Sequence, residues 1–103
     1  MADFYIIEYA KLGMDAQGKM VLAGFEPALV EQPVISSPAT STLSAAFNDS
    51  TTFVMVHATA VGHVSFGTAP IAAITKGRIG AGETRFYAVQ PGKNIKMAAI
   101  NGT

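Results

Sequence analysis

The chain has 103 residues, with seven Lys+Arg against seven Asp+Glu; its formal net charge is zero, and only 14% of it is charged, against about 25% in an ordinary soluble domain. With no Cys, a disulfide scaffold, a thiolate zinc site and a cysteine nucleophile are excluded. No basic excess is present to neutralise phosphates, so no nucleic-acid partner is expected, and a chain that is half apolar lacks the signature of disorder.

In chain order, Gly, Pro, Asn or Asp interrupts the sequence about every ten residues, and the runs between are rich in Val, Ile, Thr, Phe and Tyr, as in an all-β chain. No sustained helical period appears. A first strand is predicted over 3–10, with Phe4 and Ile6 on one face and Tyr5, Ile7 and Tyr9 on the other. A strand apolar on both faces is central in a two-layer sandwich or covered by a neighbouring chain. Residues 11–18 connect, with Asp15-Ala16-Gln17-Gly18 as a turn. A short strand follows over 19–23 and is broken by Gly24-Phe25-Glu26-Pro27. The next, over 28–35, belongs at a sheet edge, because Pro33 cannot donate to a ladder. A further strand covers 40–47, and Asn48-Asp49-Ser50 turns the chain.

Strands over 52–58 and 61–67 are predicted to form a hairpin that pairs Val56 with Val64 and Val54 with Phe66, all on one apolar face. Phe53, Met55, His57, His63 and Ser65 take the opposite face. Residues 68–82 are irregular, with a short strand near 71–75. Gln90-Pro91-Gly92-Lys93 suits a type II turn. The hairpin around it pairs Ala88 with Ile95 and Phe86 with Met97 as the apolar face, and sets Tyr87 opposite Lys96 on the other. About seven or eight short antiparallel strands result, so the fold class is an all-β, single-domain β-sandwich or jelly-roll-like barrel over 1–103.

So small a complement of charge leaves much of the exterior to Ala, Ser, Thr, Gly and large apolar groups. Zero net charge also gives a free monomer little colloidal protection. Cover by other subunits is therefore expected. The sequence shows no basic and apolar leader and no window of about 18 apolar residues, so the expectation is synthesis in a cytosol, with no membrane partner.

The chemistry-bearing residues do not converge. In the hairpin register His57 and His63 are cross-strand neighbours, a spacing that can hold a metal or form a pH-sensitive pair. Neither strand supplies a third ligand, so the expectation is two unrelated polar side chains on an outer or interfacial face. Gly77-Arg78-Ile79-Gly80-Ala81-Gly82 has the wrong order for a dinucleotide loop, and no helix follows it. Asp3, Glu8, Asp15, Glu26, Glu31, Asp49 and Glu83 are scattered through turns and strand ends, and no nucleophile elbow surrounds Ser65. Arg78, Arg85, Lys93 and Lys96 cluster late in the sequence, near Phe86 and Tyr87; a nucleic-acid face of that kind is conceivable, but the expectation is an ordinary solvated strand face or salt bridges to an acidic partner subunit. No catalytic residue, metal ligand or cofactor-binding residue is assigned, and an enzyme is not expected.

The succession Ile7-Glu8-Tyr9-Ala10, Asp15-Ala16-Gln17-Gly18, Glu26-Pro27-Ala28-Leu29, Phe53-Val54-Met55-Val56-His57-Ala58, Phe66-Gly67-Thr68-Ala69-Pro70, Ala81-Gly82-Glu83 and Val89-Gln90-Pro91-Gly92-Lys93 resembles small virion proteins of tailed bacteriophages, the capsid decoration or cement proteins. Met55 stands where the group's pattern has an Arg, so no charged contact is carried over there. The resemblance implies a structural protein without catalysis, made in the host cytoplasm and placed on the capsid surface of the virion. It further implies a trimer bound to the major capsid protein, the N-terminal strand contacting the shell or a sister subunit. The contacts expected on this basis are Phe4, Tyr5, Ile7 and Tyr9 of the first strand and Phe25 of the following loop; core packing in a monomer is the competing explanation for all five. The alternative is a receptor- or carbohydrate-binding β-sandwich of a phage tail or fibre, against which the absence of Trp and the few amides count.

Overall fold

A computed structural model describes residues 2–14, 16–17, 19–24, 26–36 and 38–102, with the backbone alone at 14 and 20–23. The described residues form eleven strands and no helix: β1 Asp3–Tyr9, β2 Leu12–Met14, β3 Met20–Gly24, β4 Val30–Glu31, β5 Ile35–Ser36, β6 Thr42–Leu43, β7 Phe53–Ala58, β8 Gly62–Gly67, β9 Arg78–Ile79, β10 Thr84–Ala88 and β11 Lys96–Asn101. One sheet runs β10-β7-β1-β4, with β5 also on β1; the other runs β6-β11-β8-β9; β2 and β3 form a separate pair, and all pairings are antiparallel. The fold is a β-sandwich, as the composition and turn spacing predicted.

Alternation along each strand chooses the face that turns inward. Phe4 and Ile6 of β1 and Val54, Val56 and Ala58 of β7 meet Val64, Met97, Ala99 and Ile79 of the second sheet in one buried cluster. Gly62 is required where β8 faces Phe4 of the other sheet, because a Cβ there would overlap the Phe4 ring. The predicted first strand is central, as expected, and the segment over 28–35 lies at a sheet edge, interrupted at Pro33 into β4 and β5.

Both predicted hairpins are absent. β7 pairs with β1 on one side and β10 on the other, while β8 pairs with β11 and β9. β7 therefore has no free edge to offer β8, and the short link between them crosses from sheet to sheet. The apolar face was nonetheless right: Val54, Val56 and Val64 are buried, and Phe66 packs against the cluster. The link from β10 to β11 crosses in the same way. Gly92 takes the positive φ of 71° that a type II turn needs, but Asn94 adds a second left-handed residue at 55°. The face of β10 is reversed from the expectation: Tyr87 and Val89 pack inward, and Phe86 is 54% exposed. The predicted strand near 71–75 does not form; β9 takes its place at Arg78–Ile79, inside the glycine-rich run.

Candidate docking face

With β7 between β1 and β10, the outward residues of three strands fall into rows. Tyr5, His57 and Thr84 form one; Ile7, Met55 and Phe86 the next; Tyr9, Phe53 and Ala88 the third. The rings couple across the strands: Tyr9 stacks on Phe53 with centroids 5.2 Å apart, Phe53 meets Phe86 at 6.2 Å, and Tyr5 meets the His57 ring at 6.3 Å. Tyr5 is 43% exposed and Phe86 54%, and Ile7, Phe53 and Met55 are half-buried. The result is an apolar sheet face with acidic residues at its margin, Asp3 at one end of β1 and Glu31 opposite Ile7. Beside it, Leu12, Thr52, Phe53, Phe86, Tyr87 and Ala88 line an open apolar groove of about 550 Å³.

The expected contact residues separate on this frame. Phe4 is fully buried in the core. Tyr9 is on the outer face but only 4% exposed, because the β2–β3 pair folds over it: Gly24 abuts the Tyr9 ring, and the phenol donates to Glu26 Oε2 at 2.8 Å. Burial, then the Glu26 carboxylate, pushes the Tyr9 hydroxyl up to about 12. Tyr5 and Ile7 remain on the open face, and Phe25 lies outside the described residues, as do Asp15 and Gly18 of the predicted turn. Met55, Phe53 and Phe86 belong to the same surface. For β7 the signal was legible, since Phe53, Met55 and His57 alternate with the smaller Val54, Val56 and Ala58 that fit between two sheets. For β10 it was hidden by the assumed hairpin.

The other candidates dissolve into structure. His57 and His63 stand on different sheets and are not cross-strand neighbours, which removes the proposed metal or pH-sensitive pair. His57 Nδ1 hydrogen-bonds Thr84 Oγ1 at 2.7 Å, and buried His63 pairs with the Lys76 carbonyl at 3.2 Å. Among the described residues no group of three or more His, Cys, Asp or Glu is placed to hold a metal. In the glycine-rich run, the Gly80 N–H is taken by the chain's own Glu83 Oε1 at 2.9 Å, which also accepts from Arg85 Nε at 2.8 Å. These contacts, the Gly80 N–H foremost, hold the Glu83 carboxyl below the usual range. Arg78, Arg85, Lys93 and Lys96 are spread over β9, β10, the turn and β11, and Tyr87, which would have stacked a base, lies 4.7 Å from Phe66.

One acid behaves differently. Glu8 points into the sandwich at 1% exposure. Its Oε2 accepts from Gln32 Nε2 at 2.8 Å, and its Oε1 from the Asn48 N–H and the Thr51 hydroxyl, each at 2.7 Å. Gln32 in turn clasps the Ala45 peptide through both ends of its amide. Both oxygens of this carboxylate anchor the 44–51 segment to β1, directly at Asn48 and Thr51 and through Gln32 at Ala45, so it is a structural latch. Comparison of the chain with protein-family models, curated proteins and solved structures finds no match.

Proposed function

We propose that the protein is a decoration or cement protein of a tailed-phage capsid, bound to the outside of the shell through the apolar face of β1, β7 and β10. The supporting observation is that face itself. Tyr5, Ile7, Met55 and Phe86 are held outward on a rigid sheet in a chain with only 14% charged residues, and contiguous exposed apolar surface marks interaction sites. Covering such surface contributes roughly 25 cal/mol per Å² before association costs, and repetition around a closed shell multiplies a modest gain at each site. The work is mechanical, with the major capsid protein as partner and no catalytic step.

The test is co-sedimentation with capsids of the encoding phage assembled without the protein. Tyr5→Asp combined with Ile7→Asp should leave a soluble fold and abolish binding. Unaltered binding of that variant refutes the role. The tail- or fibre-module alternative needs polar groups beside a stacking ring; the groove next to β10 has Phe53, Phe86 and Tyr87 in its walls, and none of the described residues lining it is an acid or amide.

A further inference from the structure

The edges of the two sheets are unequally protected. β4 and β5 are interrupted by Pro33, and β6 and β9 have two residues each. β10, by contrast, is a five-residue strand at the end of its sheet, without proline, bulge or register shift. Natural sheets blunt such edges, because unpaired N–H and C=O groups recruit another strand. The ladder to β7 shows which groups are unpaired. Val89 N–H donates to the Thr52 carbonyl and Ala58 N–H to that of Glu83. In an antiparallel pair the bonded residues alternate, so Glu83, Arg85, Tyr87 and Val89 direct their backbone at β7. Thr84, Phe86 and Ala88 direct theirs away from the sheet.

We infer that this edge pairs with β10 of a second copy, antiparallel, about a two-fold axis through Phe86. Charge and hydrogen bonding select that register over its neighbours. Centred on Phe86, the outward residues meet as Thr84 with Ala88 of the other copy, Phe86 with Phe86, and Ala88 with Thr84. Each such narrow pair exchanges two bonds, so every unpaired group of the edge is used. Arg85 then faces Tyr87 of the other copy, a guanidinium beside an aromatic ring. Centred on Arg85, one narrow pair is lost and two guanidinium groups oppose each other, which is unfavourable. Centred on Tyr87, a narrow pair is again lost and Arg85 is set against Val89. The favoured register also brings the two exposed Phe86 rings together and joins two outer faces into one. It stands independently of the capsid reading, since a dimer forms or fails to form without a shell.

Sedimentation velocity and light scattering of the full chain across the micromolar range should give a species of twice 10.7 kDa. Phe86→Glu places like charges at the axis. Ala88→Pro removes an outward N–H and leaves the bonds to β7 in place. Both should sediment as monomers where the wild type is a dimer, with unchanged circular dichroism; Leu43→Glu, exposed on the other sheet, should remain dimeric. Because the chain has no native Cys, Phe86→Cys gives a single thiol, which on oxidation should link two copies within the Cα separation a disulfide spans. A wild type that is monomeric throughout, or a dimer or trimer that Phe86→Glu and Ala88→Pro leave intact, overturns the pairing.

Discussion

Glu8→Gln isolates the buried latch with a near-isosteric change. Both carboxylate oxygens accept hydrogen bonds in a side chain 1% exposed. The amide keeps one oxygen for Asn48 and Thr51, but it turns an NH2 toward Gln32 Nε2, donor against donor. Gln32 cannot invert its own amide to help, because its Oε1 accepts the Ala45 N–H at 3.1 Å and its Nε2 donates to the Ala45 carbonyl at 3.2 Å. One charge-assisted bond worth about 1.5–3 kcal/mol is lost, and a buried donor left unmet costs about 1–3 kcal/mol more. The expected destabilisation is therefore about 2.5–6 kcal/mol, a large share of the stability of a domain this size. Urea unfolding followed by tyrosine fluorescence measures it, with the slope unchanged and the midpoint lowered. A fall below about 1 kcal/mol would mean that water, not Gln32, Asn48 and Thr51, satisfies the carboxylate, and the latch would be refuted.

Three further outcomes are expected. The Tyr9 hydroxyl is raised in the folded chain to about 12 from 10.0, so the stability linked to it is complete below the unfolded value and disappears as pH climbs from about 10 to 12; Tyr9→Phe should flatten the alkaline limb of a stability–pH profile. The Glu83 carboxyl is lowered, so its contribution is present above the unfolded value and is lost as pH falls through the folded one; Glu83→Gln should reduce the acid dependence of the melting temperature, and an unchanged profile would contradict the assignment. Gly62→Ala should destabilise by about 1–3 kcal/mol through overpacking against Phe4, measured by thermal unfolding, whereas Gly82→Ala meets no neighbouring atom and is strained only by its positive φ of 70°.

The fold class was written in local chemistry, and the strand partners were not. Alternation in Phe53–Ala58 and the placement of Pro33 act within a few residues, so they were legible. The choice between hairpin and sheet crossing depends on which strand occupies the neighbouring edge, and β1, some fifty residues earlier in the sequence than β7, decides it for both β7 and β8. Phe86 was misassigned for the same reason: an assumed partner, Met97, carried it to the wrong face. Tyr5 and Ile7 were recognisable because β1 is apolar on both sides, but the β2–β3 cover that removes Tyr9 from the surface depends on Gly24 packing at a distance. The Glu8 latch left no sequence trace, because its donors come from positions 32, 48 and 51.

Sheet-to-sheet crossings at both tight links have a kinetic consequence. Neither β7 nor β10 can zip onto its immediate successor there, and the six-position ladder of β1 with β7 requires closing a loop of several dozen residues. Loop-closure entropy of this kind precedes any compensating contact and places such topologies among the slower folders. During that delay the sticky strands stand bare, and a newly made chain competes between finding its own distant partner and joining that of a neighbour. Refolding yield should therefore fall with concentration well before native stability does.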